Sequence, residues 1–112
     1  MIDIHCHLTF PGLDEIKDTV ILESKKSMRA VINCGLTGFY EKTLDVQKKY
    51  EGFIFTSLGI HPDDIVKMTD KEIEKNLEFI QSHTDDVVAL GEIGLDYYWV
   101  TDAKQKERCK EV

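Results

Sequence analysis

The chain has 112 residues, a formal net charge of −7, and 42% hydrophobic against 31% charged residues. That length predicts a single domain, residues 1–112, with a modest core, and the composition excludes a disordered chain. The acidic balance excludes a broad basic surface for tracking nucleic acid but not an anionic substrate, because a bound divalent cation can reverse the local field.

Uninterrupted apolar runs are only a few residues long, too short for a signal peptide or a membrane span, so the expected location is the cytoplasm with no membrane partner. Cys6, Cys34 and Cys109 are widely spaced and lack a second cysteine at C-x-x-C distance. They read as reduced thiols, neither a disulfide framework nor a zinc ribbon.

In chain order, Ile2-Asp3-Ile4-His5-Cys6-His7-Leu8 alternates apolar and polar residues and predicts a strand. Strict alternation puts Asp3, His5 and His7 on one face, with Ile2, Ile4, Cys6 and Leu8 on the other. The two imidazoles then stand roughly 6 to 7 Å apart along the strand, close enough to turn onto one cation. The same alternation turns the Cys6 sulfur toward the packing layer.

Thr9-Phe10-Pro11-Gly12 supplies a turn, and Leu13, Ile16 and Val20 recur at helical spacing through Lys26. Residues 29–35 predict a second strand and 39–50 a second helix carrying Tyr40, Leu44 and Val46. Residues 53–60 form the third predicted strand, running into His61-Pro62-Asp63-Asp64. Thr69 and Glu72 have capping-box spacing ahead of Ile73, Leu77 and Ile80. His83 follows that helix among Ser82, Thr84 and Asp85 and reads as a solvated loop residue. Residues 87–93 predict a fourth strand, and Asp102 opens a polar segment with the character of a further helix.

Apolar strands alternating with helices are the signature of a parallel sheet covered by helices. Strand starts near residues 2, 29, 53 and 87 give about 30 residues per βα unit, where a closed eight-unit barrel needs about 250. The predicted fold class is therefore α/β, parallel βα repeats forming the N-terminal half of a TIM (β/α)8 barrel. Polar residues gather at the C-terminal strand ends: His5 and His7, Asn33, His61, then Glu92 and Asp96. Ligands bind at that end of such sheets.

Three motifs carry a family resemblance: the opening Ile2–Leu8 stretch, Gly59-Ile60-His61-Pro62, and Gly91-Glu92-Ile93-Gly94-Leu95-Asp96-Tyr97-Tyr98-Trp99. In order and spacing they resemble the TatD family of metal-dependent hydrolases, βα-barrel phosphoesterases that include deoxyribonucleases, with some related proteins linked to editing of misacylated tRNA. The resemblance implies His5 and His7 as metal ligands and Glu92 as both a ligand shared between two metals and the catalytic carboxylate. It places His61 and Asp96 at the substrate or behind the ligands. Asp3, on the histidines' predicted face but deeper, either orients His5 or is simply a polar residue near the strand start.

The implied cofactor is divalent metal (Mg, Mn or Zn), two ions per complete family barrel. The family draws two further histidines and an aspartate from later strands, none of them in this sequence, so at most one ion is expected in this cluster. The implied substrate is DNA or another phosphoester. Two alternatives stand beside it: a related hydrolase of an aminoacyl ester or small amide, and an inactive or split fragment needing a complementary half. Open barrel edges also predict self-association.

The chemistry suits these residues. Imidazoles and a carboxylate hold a divalent ion, which lowers the pKa of water from about 15.7 toward 7 and polarises a phosphoryl oxygen. Tyr97, Tyr98 and Trp99 offer rings for stacking on a base, a contact worth about 1–3 kcal/mol, or for packing under a helix.

Overall fold

The computed structural model describes residues 1–112. Four parallel strands lie side by side in chain order: β1 (Ile2–Cys6), β2 (Ala30–Gly35), β3 (Ile54–Leu58) and β4 (Ala89–Leu90). Helices α1 (Lys17–Ser24), α2 (Tyr40–Lys49), α3 (Pro62–Ile65), α4 (Asp70–Ser82) and α5 (Ala103–Glu111) fill the connections. This is the βα order of half a TIM barrel. A closed domain of this length has a radius of gyration of about 13 Å. The value here is 14.9 Å, with extents of 46 × 29 × 24 Å, the shape of a curved slab. No helix is long and apolar enough to cross a membrane.

The core lies between sheet and helices in two clusters. One joins Leu8, Ile21, Val31, Val46, Phe53 and Ile54; the other joins Tyr40, Leu58, Ile60, Ile65, Ile73, Ile80, Val100 and Cys109. The opposite sheet face is uncovered, which leaves Ile2 54% and Ile4 72% exposed, while Leu90, the register partner of the core residue Leu58, and Ile93 are exposed on the helix side at the open β4 edge.

The expected elements form, with physical reasons for their changed bounds. The Thr69 hydroxyl accepts the Glu72 N–H while the Glu72 carboxylate accepts the Thr69 N–H, so α4 starts on the capping box its sequence predicts. Ile73 and Ile80 are buried, whereas Leu77 is substantially exposed. Residues 10–16 wind through hydrogen-bonded turns, so α1 begins at Lys17 and not at Leu13. The short α3 was not expected. It forms because Pro62 presets the first helical φ and the His61 ring accepts the Asp63 N–H at 3.1 Å. β4 is shorter than predicted, although Val88 N–H and Gly91 N–H still donate to Thr56 and Leu58 carbonyls at either end of it. Beyond Gly91 the chain turns away from the sheet.

One expectation fails in β1. Asp3 registers with Val31 and Cys6 with Asn33, so three residue steps on β1 span two on β2. This irregularity resets the alternation. Val31 and Asn33 are both buried on the helix-facing side, which puts Asp3 and Cys6 on that side and separates Asp3 from the histidines. Ile4 likewise leaves the packing layer that Cys6 and Leu8 keep.

Candidate metal centre

His5 and His7 flank Cys6 at the end of β1 and present their rings to the same point, edge to face with centroids 4.9 Å apart. His7 Nδ1 lies 3.0 Å from the Cys34 carbonyl oxygen on β2. A carbonyl only accepts, so in the neutral ring the His7 proton sits on Nδ1 and Nε2 keeps its lone pair. That Nε2 faces His5 Nε2 at 3.2 Å.

Glu92, just past β4, brings its carboxylate against both rings. Its Oε2 lies 3.4 Å from His5 Nε2 and 3.7 Å from His7 Nε2. Its backbone is seated on Gly59, where a Cβ would come within 2.5 Å of the Glu92 carbonyl oxygen. His5, His7 and Glu92 form one group whose ligand atoms all lie within 4.8 Å of one another.

The three separations test whether an ion fits. Donor atoms held about 2.0–2.2 Å from a tetrahedral cation stand roughly 3.3–3.6 Å from one another. The observed 3.2, 3.4 and 3.7 Å are close to the three edges of one tetrahedral face. A His5 ring proton can satisfy only one of those edges. The remaining meeting of a lone pair with a carboxylate oxygen is one that a cation held between them would relieve, and the side chains' partial exposure leaves a fourth direction open.

His61 approaches Glu92 from the other side. Its Nδ1 accepts the Asp63 N–H, so in the neutral ring the proton is on Nε2, which lies 3.3 Å from Glu92 Oε1. Glu92 thus gives one oxygen to the two-histidine cluster and the other to His61.

The remaining candidates lie elsewhere. Asp3 Oδ1 accepts the His5 backbone N–H at 3.0 Å; it ties the β1 irregularity and does not touch the imidazole. Asp96 Oδ1 accepts the Tyr98 and Trp99 N–H groups, both at 2.9 Å, closing the turn after Glu92. Cys6 is turned away, its Sγ 3.6 Å from the Ile32 carbonyl. Burial first, then the Asp3 carboxylate and Cys34, pushes its thiol up to about 12. All three cysteines are free. His83 stacks on Phe79 and hydrogen-bonds around the α4 C-terminus, away from the cluster.

Sequence reasoning missed the Cys34 carbonyl, because a backbone acceptor leaves no residue signature. It also missed the seat at Gly59, for which a glycine directly after an apolar strand is a usable signal.

A parallel βα sheet that brings two imidazoles and a carboxylate to its C-terminal edge has the architecture of metal-dependent hydrolases built on βα barrels. The model of the TatD related DNase family matches residues 2–112, and the chain belongs to that family. It is 31% identical to human deoxyribonuclease TATDN3 over all of this chain and 44% of that protein. It is 34% identical to YabD of Bacillus subtilis, an uncharacterized metal-dependent hydrolase, over all of this chain and 43% of that protein. Among solved structures, the TatD homolog YJJV of Escherichia coli superposes with a TM-score of 0.80 at 26% identity, over 99% of this chain and 42% of that one. The chain therefore spans less than half the length of these relatives.

Proposed function

We propose that residues 1–112 are a single folding unit, the N-terminal half of a barrel, and carry the first metal position of a hydrolase that cleaves phosphodiester bonds in DNA. The observation that supports this most is the triangle of His5 Nε2, His7 Nε2 and Glu92 Oε2, with sides of 3.2, 3.4 and 3.7 Å. The deoxyribonuclease name of the TATDN3 relative supports the choice of substrate.

In this reading His5, His7 and Glu92 hold the ion. A divalent cation bound there supplies positive charge for a phosphoryl oxygen and makes water acidic enough to lose a proton near neutrality. His7 offers a lone pair because Cys34 holds its proton on the opposite nitrogen. Glu92 is the catalytic carboxylate, with Oε2 joining the ligand set while Oε1 accepts from His61. The His61 Nε2 proton steadies Glu92 and is available to an anionic substrate oxygen. Asp96 shapes the turn behind Glu92, and Asp3 fixes the backbone under His5.

The uncovered apolar face favours a partner surface, either a second copy or a complementary half. The 112-residue chain alone is expected to hydrolyse slowly, since charge stabilisation from one side of a displacement is worth several kcal/mol and each 1.36 kcal/mol is about tenfold in rate. The test is nucleotide release from an oligonucleotide, with the rest of the barrel supplied as a second polypeptide. Metal-dependent release that Glu92→Gln abolishes is the expected result. Equal release by Glu92→Gln, or release in the presence of excess chelator, would refute the reading.

A further inference from the structure

We infer that Asn33 is a positioning residue for the His7 ring, setting which ring nitrogen faces the metal centre; its bearing on metal binding rests on the reading of His7 as a ligand. Asn33 is fully buried on the helix-facing side of β2. Its Oδ1 accepts the Leu8 N–H at 2.9 Å, while its Nδ2 has no partner. Burying an amide with its donor unmet is unfavourable relative to an aliphatic side chain of similar size. The position therefore has a use for the acceptor that packing alone does not explain.

That use lies at the end of β1. The backbone pairing of β1 with β2 runs as far as Cys6 opposite Asn33. The next two residues are tied to β2 by side chains: the His7 ring donates to the Cys34 carbonyl and the Leu8 N–H donates to Asn33. The two acceptors sit on consecutive residues of β2, so the peptide between His7 and Leu8 is held from both ends. Without the Asn33 oxygen, the Leu8 N–H is stranded in the core and this peptide is free to rotate. The ring then loses its alignment with Cys34, and with it the reason for its proton to stay on Nδ1.

Thr56 provides an internal control. It is the register partner of Asn33 on β3, is equally buried, and its hydroxyl has no hydrogen-bond partner. A substitution there disturbs the same layer of the core without removing either tie to β1.

The test is 1H–15N correlation spectroscopy of the imidazoles in the metal-free, neutral-ring chain, paired with Zn²⁺ titration. The wild type is expected to hold His7 as the Nδ1–H tautomer. Asn33→Leu should shift it toward a mixture and weaken Zn²⁺ binding about ten- to a hundredfold. Asn33→Asp, which keeps an acceptor oxygen, should retain the wild-type tautomer, and Thr56→Val should change neither readout. If Asn33→Leu fails to fold, Asn33→Ser, whose oxygen is too short to reach Leu8, takes its place in the comparison. A folded acceptor-less variant with the wild-type His7 tautomer would overturn the inference. So would Thr56→Val altering the tautomer or weakening Zn²⁺ as much as Asn33→Leu. A tautomer shift in Asn33→Leu together with unchanged Zn²⁺ binding in His7→Ala would support the positioning of the ring and refute the ligand reading instead.

Discussion

Gly59 and Glu92 meet backbone to backbone: a Cβ on Gly59 would lie 2.5 Å from the Glu92 carbonyl oxygen and 2.8 Å from its nitrogen. Neither is the end of a flexible side chain, so relief requires the strand end or the Glu92 segment to move. The Gly59 carbonyl is itself held by the Tyr40 hydroxyl at 2.7 Å, which fixes the β3 side. Gly59→Ala is therefore expected to displace Glu92, lowering stability by about 1–3 kcal/mol and weakening metal binding as well. Thermal melting with parallel Zn²⁺ titration checks this, and full affinity in a folded Gly59→Ala protein would contradict it.

The capping box of α4 predicts a stability effect with no metal effect. Thr69→Ala removes the acceptor for the Glu72 N–H and should cost about 1 kcal/mol, read by chemical denaturation, with Zn²⁺ binding unchanged.

Glu72 gives the same cap a pH dependence. The Thr69 N–H and then its hydroxyl hold the Glu72 carboxyl below its ordinary value of 4.5. A depressed carboxylate contributes stability above its unfolded value and loses that contribution as pH falls through its folded value. Glu72→Ala should thus be less stable than wild type at neutral pH, and the gap should close at pH values well below 4.5. A gap that persists unchanged into strong acid would contradict the assignment.

Much of this organisation is legible in the sequence because it depends on periodicity and local chemistry. The spacing of Ile73 and Ile80 behind Thr69 and Glu72 specifies α4 without reference to the rest of the chain. The convergence of His5 and His7 is equally local. The side on which Asp3 lies is not legible, because an irregularity in pairing belongs to two strands at once, and nothing in residues 2–8 alone announces that β2 advances two residues while β1 advances three. The contact of His7 with the Cys34 carbonyl and of Leu8 with Asn33 depends on the same pairing. The period of apolar residues does not show α3, whose four residues are too few for one, although Pro62 behind His61 is a helix-start signal.

The uncovered sheet face predicts association. Ile2 and Ile4 stand mostly exposed on that face beside the unpaired edge of β1, and Leu90 and Ile93 add exposed apolar surface at the open edge of β4. Such surfaces favour pairing with another chain. Sedimentation velocity of the 112-residue chain at low micromolar concentration should show a dimer or larger species, shifted toward monomer by Ile4→Lys. A compact monomer with cooperative unfolding would show that four strands suffice.

Calorimetric titration of the chain with Zn²⁺ or Mn²⁺ tests the metal centre most directly. His5, His7 and Glu92 offer one set of three converging donors. At most one ion per chain should bind in this cluster, weakly, with affinity reduced in His7→Ala and binding abolished in the double variant His5→Ala, His7→Ala. Unchanged stoichiometry and affinity in that double variant would contradict the account.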